Sequence, residues 1–208
     1  MANEQNNILL SCSRCGEKTT VSVPRSLNVR EQPELKEEVR SGRLFVRTCP
    51  HCGTPNLIRT PFLYHDPDLR LMVWLSDGNA ETERKMAAAV QAEAGLSDYT
   101  LRIVDTPGDL VEKINIAEAG LDDIAVEICK YVTRQELGRD VDLRFYRMEG
   151  ADHDLTLAYP EKGQMQMVGI GFNVYEDSAA ILGRNPELKR KATGLVRVDR
   201  RWLAQFLG

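Results

Sequence analysis

The chain has 208 residues, 28% of them charged, and a formal net charge of −4. It is long enough for one large domain or two small ones with a substantial core, and too acidic to coat polyanions in general. No apolar run approaches the roughly 18 residues of a membrane span, and the polar start from Met1 to Asn7 lacks the basic and long apolar regions of a signal peptide. The expected location is cytoplasmic.

In chain order, Ile8-Leu9-Leu10 leads into Cys12-Ser13-Arg14-Cys15-Gly16, and Thr19 to Val23 leads out. β-Branched residues around an intervening glycine predict a hairpin with the cysteines at its tip and Pro24 at its end. Pro33 to Arg40 reads as a short helix, with proline at its start, early glutamates and Gly42 just past its end. Leu35 and Val39 share one of its faces. Leu44 to Thr48 then enters a second knuckle, Cys49-Pro50-His51-Cys52-Gly53, and Asn56 to Arg59 leaves it.

Two Cys-x-x-Cys-Gly knuckles facing one another present four thiolates in a tetrahedron, the closed coordination of structural zinc. Cys12, Cys15, Cys49 and Cys52 are therefore the expected ligands of one Zn²⁺ in a zinc ribbon over residues 8–76, with the short helix inserted between its halves. A redox pair, or a zinc site sensitive to oxidation, is the alternative. A thioredoxin-like reading needs a helix directly after the motif, and a strand follows here. The long gap between Cys15 and Cys49 is harmless, because loop-closure cost grows only logarithmically with length.

Phe62 to Asp66 and Arg70 to Leu75 read as strands joined by a turn at Pro67. Glu81 to Ala94 is an alanine-rich helix with a thin apolar face of Met86, Val90 and Ala94, which suits a surface position. Tyr99 to Val104 alternates as a strand. Thr106-Pro107-Gly108-Asp109 opens a helix whose stripe is Leu110, Val111, Ile114 and Ala117. After Gly120 a second helix carries Leu121, Ile124, Ala125, Ile128 and Val132 on one face. Beyond it, 141–147, 154–159 and 164–171 read as strands, 177–182 as a helix and 194–198 as a short strand, with Asp199 capping a closing helix through Phe206. No internal repeat is present. The fold class is α+β: a zinc ribbon with a helical insertion, a helical segment over 79–137, and a C-terminal mixed unit over 138–208.

The chain resembles the bacterial and archaeal CpXC family over residues 8–137. The resemblance rests on Cys49-Pro50-His51-Cys52-Gly53, on Pro61 to Pro67, and on the run from Asp109 to Ile114 and on through Gly120-Leu121-Asp122-Asp123. The first knuckle departs from the pattern in lacking the proline, which ligand geometry survives. The family is functionally uncharacterised, so the resemblance implies the zinc site and an architecture and supplies no activity.

Other candidates weigh less. A site closed by four cysteines has no open position for a water, which argues against catalysis at the metal. His51 sits inside a knuckle, where side chains point outward. His65-Asp66 is an enzyme-like pair, yet neighbours on a strand face opposite sides, and Asp66 before Pro67 suits a turn. His153 between Asp152 and Asp154 reads as a polar hairpin turn, and Cys129 as a core residue. Gly169-Ile170-Gly171 is no dinucleotide fingerprint. The stretch 184–208 is formally +5, with Arg184, Lys189, Arg190, Lys191, Arg197, Arg200 and Arg201 against Glu187 and Asp199, whereas the ribbon with its metal is close to neutral. The expected function is a non-catalytic interaction module with an unknown protein partner. Nucleic-acid binding through the basic C-terminal region is the second reading, and an enzyme of unknown chemistry in the C-terminal unit the third.

Overall fold

The computed structural model describes residues 5–93 and 95–206. The protein is α+β, with two compact units, 1–111 and 112–208. The family resemblance, ending near 137, partitions the chain differently. Among the described residues no helix is long and apolar enough to cross a membrane.

The first unit opens with a hairpin of β1 (Gln5–Ser11) and β2 (Lys18–Pro24), paired over all seven positions. A four-stranded mixed sheet follows, built from β3 (Ser26–Asn28), β6 (Phe62–Asp66), β7 (Leu71–Leu75) and β8 (Thr100–Val104) in the order β3-β6-β7-β8. The pair β6–β7 is antiparallel, and both outer strands run parallel to their neighbours. Between β3 and β6 lie α1 (Glu34–Arg40), a 3-10 turn (Arg43–Phe45), and a second hairpin of β4 (Val46–Thr48) and β5 (Pro55–Leu57).

Leu44 and Phe45, the start of the segment that enters the second knuckle, belong to the 3-10 turn. Gly42 after α1 takes a φ of 73°, a left-handed conformation that suits glycine, and redirects the chain there. Phe45 then packs edge-on against Phe62, with ring centroids 5.4 Å apart, and its carbonyl accepts the Ile58 amide at 2.8 Å. The base of the second hairpin is thereby fixed to an apolar interior that includes the buried Leu27, Val39, Tyr64 and Val73. Helix α2 (Ala80–Ala92), capped by Asn79, buries only Val90, in keeping with its thin apolar face. Ala94, assigned to that face from the sequence, lies outside the described residues.

Helix α3 (Pro107–Glu118) begins as a capping box. Thr106 Oγ1 accepts the Asp109 amide at 3.2 Å and donates to the Asp109 carboxylate at 2.7 Å. In the second unit α4 (Asp123–Leu137) is capped by Asp122, and every residue from Asp123 to Lys130 is buried. An antiparallel meander of β9 (Arg144–Glu149), β10 (Asp154–Glu161) and β11 (Gln164–Ile170), ordered β11-β10-β9, supplies one core with α4: Val126 and Cys129 pack with Phe145, Leu155 and Leu157. The other side of α4 presents Ile124, Ala125 and Ile128 to Leu182, Leu188 and Trp202. Those three come from α5 (Phe172–Arg184), α6 (Pro186–Lys191) and α7 (Arg200–Ala204).

Two expectations are corrected here. Residues 194–198 make only an isolated bridge at Val196, because Val198 is drawn into the helical core rather than into a sheet. The helix placed at 177–182 begins at Phe172, with Gly171 as its N-cap, and α6 follows it unannounced. Asp199 caps α7 as expected, its Oδ1 accepting the Trp202 amide at 2.7 Å.

Candidate metal centre

Each knuckle is a turn closed by two backbone bonds, and the two turns are built alike. In the first, Cys12 N donates to Glu17 O at 2.8 Å and Gly16 N to Cys12 O at 3.0 Å. In the second, Cys49 N donates to Thr54 O at 2.9 Å and Gly53 N to Cys49 O at 3.0 Å. Gly16 and Gly53 take φ of 74° and 72°, which β-carbon-bearing residues rarely adopt. The amide of Arg14 points at Cys12 Sγ, 3.5 Å away.

The hairpins carry these turns toward one another, so the short sulfur–sulfur approaches run between knuckles. Cys12 and Cys52 lie 3.5 Å apart, and Cys15 and Cys49 lie 3.7 Å apart. All four Sγ atoms fall within 4.8 Å of one another, a cluster that could bind a metal ion. No pair is at the roughly 2.05 Å of a disulfide. Cys12 and Cys49 are buried, Cys52 is half-buried and Cys15 is exposed.

The surroundings favour thiolate at Cys12 and Cys52 and oppose it at Cys15. The Cys15 and Arg14 amides pull the Cys12 thiol down to about 6, and the Thr54 hydroxyl and amide lower that of Cys52. At Cys15 the Glu17 amide works downward, but crowding by the Cys12, Cys52 and Cys49 sulfurs, with local desolvation of an otherwise exposed residue, outweighs it and pushes that thiol up to about 12. Four sulfurs at these distances cannot all ionise without a cation, so metal binding to the cluster must release protons.

One residue that the sequence reading passed over joins the knuckles. Asn56 is the single buried side chain of β5. Its Oδ1 accepts from the backbone and hydroxyl of Ser13, at 2.8 and 2.9 Å. Its Nδ2 donates to Thr54 O at 2.8 Å and lies 3.6 Å from Cys12 Sγ. An asparagine in the short segment leaving the knuckle, four residues after Cys52, was the available signal. Apolar periodicity gives no weight to it.

The remaining candidates sit apart from the cysteine cluster. His51 is exposed. Asp66 is 1% exposed and holds its turn: Oδ1 accepts the Asp68 and Leu69 amides, and Oδ2 accepts from Lys36 Nζ at 2.9 Å and Tyr64 OH at 3.2 Å. Burial works against its charge, and Lys36 with the Leu69 amide prevails, holding the carboxyl below its ordinary range. His65 faces the other way, 3.3 Å from Tyr99 OH, so the two do not form an acid–base pair. His153 occupies an exposed turn with φ 57°. Cys129 is fully buried, and its Sγ donates to Ser178 Oγ at 3.2 Å. Of the basic C-terminal residues, Lys189 is 3.9 Å from Asp122, Arg190 is 3.0 Å from Glu187, and Arg200 is 2.8 Å from Asp140.

Charged groups inside the second unit also escaped the sequence reading. Lys130 Nζ bonds Glu112 at 3.0 Å and Glu127 at 2.6 Å, Arg134 approaches Glu127 at 3.6 Å, and Lys113 bonds Asp123 at 2.7 Å. Burial disfavours the Lys130 ammonium, but Glu112 and Glu127 outweigh it and raise its pKa. A helix that pairs its charges internally can be buried on both sides, which a one-sided stripe does not convey.

A CpXC protein family model matches residues 10–130. More than half of the chain is covered, and the protein belongs to the CpXC family. No curated protein and no solved structure matches it.

Proposed function

We propose that Cys12, Cys15, Cys49 and Cys52 bind one Zn²⁺ in a closed structural site of the zinc-ribbon type, and that the protein is a non-catalytic interaction module built on it. The observation that carries this is the spacing of the sulfurs. Four thiolates about 2.3 Å from a zinc ion stand roughly 3.8 Å from one another in a tetrahedron. The cross-knuckle distances of 3.5 and 3.7 Å are close to that edge length. Asn56 supports the same reading, since an amide directed at a ligand sulfur is the kind of outer partner that orients metal ligands. Four sulfurs complete the coordination, leaving no position for substrate or activated water.

The role in interaction draws on the surface of the hairpins. Leu9, Val46 and Leu57 are 63%, 39% and 49% exposed, and Val46 pairs with Leu57 across the strands. Large apolar side chains exposed on a metal-held scaffold suit contact with a protein partner. Nucleic acid is the less favoured ligand, because Lys189, Arg190 and Arg200 already stand beside carboxylates. X-ray absorption at the zinc edge of the purified protein tests the site. Four sulfur neighbours at about 2.3 Å, unchanged by added azide, are expected. An oxygen or nitrogen neighbour, or azide entering the coordination sphere, contradicts a closed structural site.

A further inference from the structure

The meander of the second unit has two edges, and only one of them is guarded. β9 is interrupted by a register shift opposite Thr156 and Leu157 and carries Arg144, Arg147 and Glu149. Bulges and charges of that kind keep a sheet edge from pairing with another chain. β11 has neither: its seven residues, Gln-Met-Gln-Met-Val-Gly-Ile, hold no charge and no proline, and its register with β10 is unbroken. Among the described residues no strand pairs with its other side. Met165 and Met167 stand 58% and 52% exposed along it.

Lys162 and Gly163, at φ of 50° and 78°, form a two-residue turn between Glu161 and Gln164. Such a turn closes on a hydrogen-bonded pair, so positions 164, 166, 168 and 170 bond to β10. The amides and carbonyls of Met165, Met167 and Gly169 therefore point to the open edge. We propose that β11 pairs antiparallel with β11 of a second copy of this chain, about a two-fold axis at Met167, to make a homodimer. That register matches all three outward residues. Met167 meets Met167, and Met165 meets Gly169, where an added β-carbon would find nothing within 4 Å. The charges at the ends agree with it. Lys162 of one copy comes alongside Gly171 of the other, and Asp154 Oδ1 lies 4.0 Å from the β-carbon position of Gly171. Lys162 and Asp154 are both exposed, and neither has an ion-pair partner among the described residues. The two-fold axis repeats this match of opposite charges at the other end, which selects a second copy of the chain as the occupant.

Sedimentation equilibrium of the metal-loaded full chain tests the pairing. A monomer–dimer equilibrium with a dissociation constant of about 10–100 µM is expected, since pairing at one strand edge lies at the small end of interface sizes. Amide exchange at Met165, Met167 and Gly169 should slow as the concentration rises. Met167→Lys sets two like charges together on the axis and should weaken the dimer about twentyfold or more, with metal content unchanged. Lys162→Asp and Asp154→Lys should each weaken it about fivefold, and the two combined should restore it. Leu57→Lys, at an exposed position of β5, should leave it as it is. A chain still monomeric at about 1 mM would overturn the pairing. So would amide exchange at Met167 that is indifferent to concentration, a dimer that survives Met167→Lys or is lost in Leu57→Lys, or a combined charge swap weaker than either single one.

Discussion

The cysteine knuckles and helix α4 both gather polar groups at close range, held by different means. Around the knuckles the strands contribute little apolar interior: β1 and β4 bury nothing, β2 buries only Val23, at the end away from the cysteines, and β5 buries only Asn56. Their order depends on sulfur, on backbone bonds in the turns and on one amide. Helix α4, by contrast, lies between two apolar clusters and keeps its charges inside by pairing them. The difference teaches where each should fail: the knuckles on loss of a ligand, and α4 on loss of a counter-charge.

The largest expected effect is therefore metal removal. Structural zinc in finger peptides contributes an apparent ~10–16 kcal/mol, far beyond what the exposed side chains of these hairpins replace. Stripping the metal with a strong chelator should abolish hydrogen-exchange protection at the Cys12, Gly16, Cys49 and Gly53 amides while β10 keeps its own. Equal loss in β10 would erase the distinction between the regions.

Lys130→Met comes next. It leaves Glu112 and Glu127 buried without their shared cation, and breaking such a pair costs about 3–5 kcal/mol. Denaturant unfolding should show that loss with metal content unchanged. A cost below about 1 kcal/mol would mean that the pairing does not hold α4.

Asp66→Asn should cost about 2–4 kcal/mol at neutral pH, because the new amide faces the Lys36 ammonium where a carboxylate oxygen accepted from it. The folded carboxyl titrates below its ordinary value, so its charge adds stability above roughly pH 4, and that share is lost as pH falls through the depressed folded value. The gap between wild type and variant should accordingly narrow in acid. A gap that widens as pH falls would reverse the sign of this linkage.

Asn56→Ala is the mildest change. Outer partners of metal ligands are worth about 10- to 100-fold in affinity. Competition with a chromophoric chelator should register a drop of that order, with the global unfolding free energy of the second unit unmoved. An unchanged affinity would remove Asn56 from the account of the site.

Much of this was legible in the chain, for identifiable reasons. The cysteine cluster was readable because short covalent spacing and two glycines at positive φ confine each turn locally. Thr106, Asp109 and Asp199 announced their helix starts, since capping is a matter of three or four adjacent residues. The burial of Glu112, Glu127 and Lys130 was not legible, because each is tolerated only through partners brought in by the fold, including the Phe145 amide that donates to Glu112 at 2.7 Å. Nor was the division of the chain inside α3, since a continuous helix carries no local mark of where its neighbours change. Val198 reads as strand by propensity and is claimed by a helical core, a tertiary override of a weak local preference.

The central claim is that four cysteines act as one zinc site while the fifth is core. Metal analysis of the wild type and five single variants, Cys12→Ser, Cys15→Ser, Cys49→Ser, Cys52→Ser and Cys129→Ser, tests it most directly. We expect about one zinc per chain in the wild type and in Cys129→Ser, and little or none in the other four. Cys129→Ser should lose only the roughly 1–3 kcal/mol that a buried hydroxyl costs. Zinc retained near one per chain in any of the four knuckle variants, or lost in Cys129→Ser, would contradict the assignment.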